Sequence, residues 1–178
     1  MLGGLIVGTL AMWLPAVAGN GYEPLNDILD ARTVLPAVSV LLVAKIIGTS
    51  SSVASGVPGG IFTPLLLVGA SLGTLWAHVV GIWSPANPGS YALVGMAAMT
   101  AASIHAPLTA AVMTFELSGD YLIVLPLLVA TAVSTSVSRR LRADSVYDAE
   151  LRGRGQAWEL TLEGRHLKPV PEADTAEG

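Results

Sequence analysis

The 178-residue sequence contains no cysteine and few charged residues. Disulfide bonds, thiol catalysis and cysteine-based metal sites are therefore excluded. Charged residues make up only 12% of the chain, whereas soluble domains carry about 25%. No Asp, Glu, Lys or Arg occurs between Lys45 and Glu116, and a water-facing surface cannot be built from such a stretch. The sequence therefore predicts a chain embedded in lipid.

The apolar residues are grouped in stretches of membrane-helix length. These stretches are 1–18, 33–49, 60–83, 91–117 and 121–138. A helix that crosses a bilayer needs about 20 apolar residues. The fourth stretch is interrupted by Pro107, which predicts two shorter helices, and the small residues Gly69 and Gly73 indicate close helix packing. We expect an all-α fold of several membrane helices, some of them broken and tilted.

Charge returns abruptly after Ser138. Three arginines, Arg139, Arg140 and Arg142, follow the last apolar stretch, and positive residues that flank a membrane helix favour the cytoplasmic side. We therefore expect a multi-pass protein of the plasma or inner cell membrane with a cytoplasmic C-terminal tail. The predicted division is a membrane helical domain over 1–138, a last helix carrying Tyr147 over 139–155, and a cytosolic, partly disordered tail over 156–178.

The run from Ser55 to Pro64 (SGVPGGIFTP) combines glycine and proline just before an apolar stretch. Such a break predicts a helix start, whose N–H groups carry a partial positive charge and bind anions without a full cation. Inside a membrane this pattern is typical of transporter sites, although a tight turn without a ligand fits the composition equally well. The predicted helix-break residues are Gly56, Pro58, Gly59 and Pro64, and the predicted N–H donors belong to Gly60, Ile61 and Phe62.

Three motifs in order resemble one known family. Residues 59–64 (GGIFTP) resemble the GGIFxP signature of the CLC chloride channel and chloride/proton antiporter family. Residues 101–109 (AASIHAPLT), followed by 115–117 (FEL), resemble the AASxRAPLT run of the same family. Residues 145–147 (SVY) resemble its segment with the pore tyrosine.

The resemblance extends over about residues 1 to 150 and corresponds to the C-terminal half of the membrane domain, the second of two inverted repeats. It implies passage of chloride or similar monovalent anions through a channel or a proton-coupled antiporter. The central chloride would be bound by the N–H groups of Ile61 and Phe62 and the hydroxyl of Tyr147. No metal or organic cofactor is implied, and chloride is the transported ligand. The complete protein would be a homodimer in the bilayer, with 107–138 at or near the dimer surface.

The motifs that the family carries in its first half have no counterpart in this sequence. These are the serine motif and the GxEGP run with the gating glutamate. The alternative function is therefore a truncated or split membrane fragment that does not transport without the missing N-terminal half.

Two intramembrane residues support a further alternative, an unrelated membrane enzyme or proton carrier. Glu116 is the only acidic residue within the long apolar region and could relay protons, but its place near a helix end favours a structural role. His105 and His78 form no ligand cluster, and Lys45 is interpreted as a snorkelling or paired charge. No nucleophile–base pair, carboxylate pair or basic groove for nucleic acid is present, so the sequence favours a protein that is not an enzyme.

Overall fold

The computed structural model describes residues 2–56, 60–81, 87–161 and 164–169, which are mainly helical. The main helices, in chain order, are α1 (Leu2–Trp13), α2 (Tyr22–Leu29), α3 (Leu35–Ala54), α4 (Phe62–Val80), α5 (Pro88–Ile104), α6 (Pro107–Ser118), α7 (Val124–Leu141) and α8 (Val146–Gly153). Short 3-10 turns at Pro15–Val17 and Tyr121–Ile123 precede α2 and α7. Two strands, β1 (Gln156–Thr161) and β2 (Gly164–Pro169), follow α8.

Three of the described segments are long and apolar enough to cross a membrane. They are Leu35–Ala54, Phe62–Val80 and Tyr121–Gly153, which contain α3, α4 and α7. The outer face of α7 is apolar and exposed, with Val129 and Val133 each more than half exposed. The expected helical membrane fold is therefore confirmed, and an exposed apolar face of this kind is stable in contact with lipid.

The centre of the fold is the pair formed by α4 and α5, which make the most extensive contact between two elements. Gly69 and Gly73 of α4 face Gly95 of α5. A Cβ atom at Gly69 would lie 2.6 Å from the carbonyl oxygen of Gly95, so only glycine permits this separation of the two backbones. Small residues allow such close approach in membranes, where packing rather than hydrophobicity drives helix association.

The predicted interruption at Pro107 is present. Helix α5 ends at Ile104, His105 takes a left-handed conformation with φ 56°, and α6 begins at Pro107. The last carbonyl groups of a helix have no intrahelical donor, and here α7 supplies donors. Thr135 Oγ1, Ser138 Oγ and Arg139 Nη2 donate to the carbonyl oxygens of Ala101, Ala102 and His105 at 3.1, 2.7 and 3.1 Å.

Helix α7 ends at Leu141, three residues beyond Ser138. Arg142 follows in an extended conformation and separates α7 from the next helix. Helix α8 then begins with a capping box, in which the Ser145 side chain accepts from the Asp148 N–H and the Asp148 carboxylate accepts from the Ser145 N–H. The segment 139–155 is therefore not one continuous helix. Strands β1 and β2 pair antiparallel from Gln156↔Pro169 to Thr161↔Gly164, and the sequence analysis did not predict them.

Candidate anion-binding site

The beginning of α4 lies where the Gly/Pro run predicts it. Helix α3 ends at Ala54, Gly56 has a left-handed φ of 69°, and α4 begins at Phe62 with Pro64 in its first turn. Pro58 and Gly59, two predicted helix-break residues, lie outside the described residues. The first hydrogen bond of α4 runs from the Leu65 N–H to the Ile61 carbonyl at 3.1 Å. The N–H groups of the first turn have no acceptor within their own helix.

A cavity of about 280 Å³ lies at this helix start. Gly60, Ile61 and Pro64 line it from the α4 side, and the buried side of α3 lines it opposite. Polar residues of the turn before α2 and of α3 also line the cavity. They are Gly19, Asn20, Lys45, Thr49 and Ser52.

Lys45 is the basic residue among those that line this cavity. Its side chain is only 2% exposed, and its ammonium group donates to the carbonyl oxygens of Val17 and Gly19, each at 3.0 Å. None of the ion pairs within the described part of the chain includes Lys45. The charge is thus held by backbone dipoles and does not snorkel to the surface. A buried cation without a nearby carboxylate creates a positive potential that favours an anion.

Lys45 is not among the site residues that the sequence predicts. Its partners lie 26 and 28 residues earlier in the chain, so no local pattern indicates them. One feature of the sequence could have indicated Lys45: it is the last charged residue before a stretch of 70 uncharged ones. An ionisable residue in a membrane helix is a candidate functional residue by default.

Tyr147, a predicted anion ligand, lines a different cavity. This second cavity measures about 530 Å³ and shares no lining residue with the first. The Tyr147 side chain is 46% exposed there. A third, apolar cavity of about 540 Å³ is lined by Ile61 and by Val146, the residue before Tyr147. The structure therefore brings Gly60, Ile61 and Lys45 together and leaves Tyr147 one cavity away.

Glu116 and His105, the residues of the proton-carrier alternative, are separated by the length of α6. His105 precedes this helix and Glu116 is exposed near its end. Glu116 lies nine residues beyond Pro107, which corresponds to about 14 Å along the helix. The Glu116 side chain has no hydrogen bond or ion pair within the described ranges. The cap of the following turn comes from Asp120, whose Oδ1 accepts from the Leu122 N–H at 2.9 Å.

Comparisons with known proteins agree with the motifs. The model of the voltage-gated chloride channel family matches residues 1–139. The chain belongs to this family. The voltage-gated ClC-type chloride channel ClcB of Escherichia coli strain SMS-3-5 is 38% identical over 149 residues, and so is that of strain HS. The X-ray structure of a slow cyanobacterial Cl−/H+ antiporter superposes with a TM-score of 0.68 at 27% identity, covering 73% of this chain.

The chain spans only part of these family members. The matched region is 82% of this chain but 36% of ClcB, and 31% of the antiporter chain. Membership of the voltage-gated chloride channel family and the three apolar helices make this chain a membrane protein.

Proposed function

We propose that this chain forms part of a pathway for chloride or similar monovalent anions across a membrane. The observation that carries the proposal is the first cavity, where the start of α4 and the buried Lys45 ammonium face the same space. Both groups attract anions, and no carboxylate lies among the residues that line the cavity. The relatives' names, a chloride channel and a Cl−/H+ antiporter, support the same ligand.

The proposed ligands are the N–H groups of Gly60, Ile61 and Phe62, with the Tyr147 hydroxyl as a further donor. Backbone N–H groups suit a conducted ion because each attracts it weakly enough for release. Lys45 adds long-range attraction, which increases the occupancy of the cavity. Its two carbonyl partners limit the number of hydrogen bonds that it has left for the anion.

Several features of the whole assembly remain part of the proposal. We expect a cell-membrane location with the C-terminal tail in the cytoplasm, because Arg139, Arg140 and Arg142 follow the last membrane helix. We expect a homodimer, with the exposed apolar residues of α6 and α7 at or near its surface. Chloride is the transported ligand, and the proposed pathway requires no metal or organic cofactor.

The test is chloride efflux from liposomes that contain the chain, with and without the N-terminal part of a relative such as ClcB. We expect efflux that depends on Lys45, so that Lys45→Met slows it and Lys45→Arg preserves it. Efflux only after addition of the N-terminal part supports the alternative, a chain that transports as one of two parts. Absence of efflux in both preparations, with the protein folded, contradicts the proposal.

The topology has its own test in sealed, right-side-out vesicles. Trypsin outside should leave the tail intact if it faces the cytoplasm. Cleavage after Arg152 or Arg154 under these conditions contradicts the proposed orientation.

A further inference from the structure

The second cavity lies where the C-terminal ends of α5 and α7 meet the first turn of α8. Its volume is about 530 Å³. It is lined by Ile104, His105, Arg139, Ala143, Ser145, Tyr147 and Asp148. Arg139 and Tyr147 give this cavity hydrogen-bond donors that could bind a ligand. Arg139 and His105 are not part of the proposed chloride site.

Arg139 and Tyr147 provide donors that the described protein groups do not exhaust. Arg139 uses Nη2 on the His105 carbonyl oxygen at 3.1 Å, and a guanidinium group has five N–H donors. Within the described part of the chain, the Tyr147 hydroxyl has no hydrogen-bond partner. Both residues line the cavity, and both are exposed.

His105 is held at the edge of the cavity by α7. Its Nε2 lies 3.3 Å from Ser138 Oγ, and Ser138 Oγ donates to the Ala102 carbonyl oxygen. Ser138 Oγ therefore accepts a hydrogen bond from Nε2–H, which leaves Nδ1 of the neutral ring as an acceptor rather than a donor.

Asp148 is the acidic group of this cavity. Its Oδ2 is turned toward Ser145, accepting from the Ser145 hydroxyl at 2.7 Å and from the Ser145 N–H at 3.3 Å. The nearby Asp144 is paired with Arg152 at 3.2 Å. The Asp148 carboxylate is thus already engaged by Ser145, whereas Arg139 keeps N–H donors for a ligand.

We propose that this cavity binds a tetrahedral oxyanion of the phosphate class. A guanidinium fork forms two parallel hydrogen bonds with an oxyanion, and the Tyr147 hydroxyl adds a donor from another helix. The space greatly exceeds that of a single chloride ion and accommodates a tetrahedral group with its water. The ligand is a free anion or the headgroup of an anionic lipid, since α7 leaves the predicted membrane region here.

The test is calorimetric titration of the full chain in neutral detergent with sulfate, whose charge is constant between pH 5.5 and pH 8. Arg139→Gln should weaken sulfate binding by about tenfold, as expected for loss of a hydrogen bond between charged groups. Arg140→Gln is the matched control, because Arg140 is the exposed neighbour on the same helix and does not line the cavity. Equal weakening by both variants indicates attraction to general surface charge and overturns the proposal.

Nanodiscs distinguish the two sources of the ligand. A lipid headgroup site predicts that sulfate binding is lost in phosphatidylglycerol nanodiscs and retained in phosphatidylcholine nanodiscs. A site for a free anion predicts binding in both, weakened by Arg139→Gln in each. Absence of sulfate binding in detergent and in both nanodiscs overturns the proposal.

Discussion

The two polar cavities differ in how their positive charge is held. In the first, the Lys45 side chain is 2% exposed and fixed by two carbonyl oxygens. In the second, Arg139 is exposed, and within the described ranges its side chain makes one hydrogen bond, to the His105 carbonyl oxygen. Charges act more strongly where water is excluded, while exposed charges are screened within about 8–10 Å by salt.

This difference predicts different behaviour of the two cavities toward anions. The first cavity should bind a small, largely dehydrated anion with little dependence on ionic strength. The second should bind a hydrated oxyanion with strong dependence on salt. Four substitutions test this contrast, beginning with the helix packing that holds the first cavity in place.

The largest effect is expected from Gly73→Ala in α4. A Cβ atom there would lie 3.0 Å from the Ala92 Cα and still closer to the Tyr91 carbonyl, so α4 and α5 must separate. Such overpacking costs about 1–3 kcal/mol, whereas Gly→Ala in an open helix position stabilises by about 1 kcal/mol. Gly4→Ala in α1 is the control, since nothing lies within 4 Å of its Cβ position. Thermal unfolding in detergent should show opposite shifts for the two variants.

The same variant distinguishes the two cavities. The first cavity depends directly on the position of α4, but α7 holds the end of α5 through Thr135, Ser138 and Arg139. Gly73→Ala should therefore weaken chloride binding more than sulfate binding. Equal weakening of both would mean that the cavities are not mechanically separate.

The second effect is expected from Lys45→Met, which removes the buried charge with little change of side-chain length. Chloride affinity should fall at least about tenfold, corresponding to a charged hydrogen bond of about 1.5–3 kcal/mol. Sulfate binding at the second cavity should not change. The control is Arg32→Met, which removes the same charge from an exposed pair with Asp30. Unchanged chloride titration in Lys45→Met would contradict the assignment of the first cavity.

The third substitution, Ile61→Pro, removes one backbone N–H from the predicted site. Ile61 has a φ of −89°, which a proline ring tolerates after a small adjustment, and proline is accepted at helix starts. Because water can replace part of the lost contact, we expect a change of about 1 kcal/mol, or about fivefold in chloride affinity. Ile61→Ala keeps the N–H and should bind as the unchanged chain does. If both variants bind chloride equally, this N–H does not contact the ion.

Much of the fold could be predicted from the sequence because its signals are local. The break at Pro107 depends on the missing N–H and ring of one residue, and the start of α8 depends on the spacing of Ser145 and Asp148. The start of α4 at Phe62 likewise follows from the preceding glycines. These features need only a few neighbouring residues, so they remain recognisable without knowledge of the packing.

The rest depends on contacts between distant residues. The carbonyl partners of Lys45 come from the turn before α2, and His105 meets Ser138 across 33 residues. No single segment encodes such pairs. The hairpin at Gln156–Pro169 was missed because its charged and polar sequence resembles a solvated tail more than a buried strand.

The smallest effect is expected from Tyr147→Phe, which distinguishes the two cavities most finely. The Tyr147 hydroxyl is a predicted chloride ligand, although in the structure it lines the second cavity with Arg139. Since the side chain is 46% exposed, water can take the place of the lost hydroxyl, and the change should stay below about 1 kcal/mol. Chloride and sulfate titrations should be run on Tyr147→Phe beside Tyr121→Phe, an 80% exposed tyrosine that lines neither cavity.

Weaker chloride binding by Tyr147→Phe means that α8 brings the hydroxyl to the first cavity when the ion is bound, as the motif predicts. Weaker sulfate binding alone assigns the hydroxyl to the oxyanion site, because its position in the structure is then also its position in the complex. If neither titration changes, the Tyr147 hydroxyl is a ligand in neither cavity, and Tyr147 contributes to the first turn of α8 through its ring.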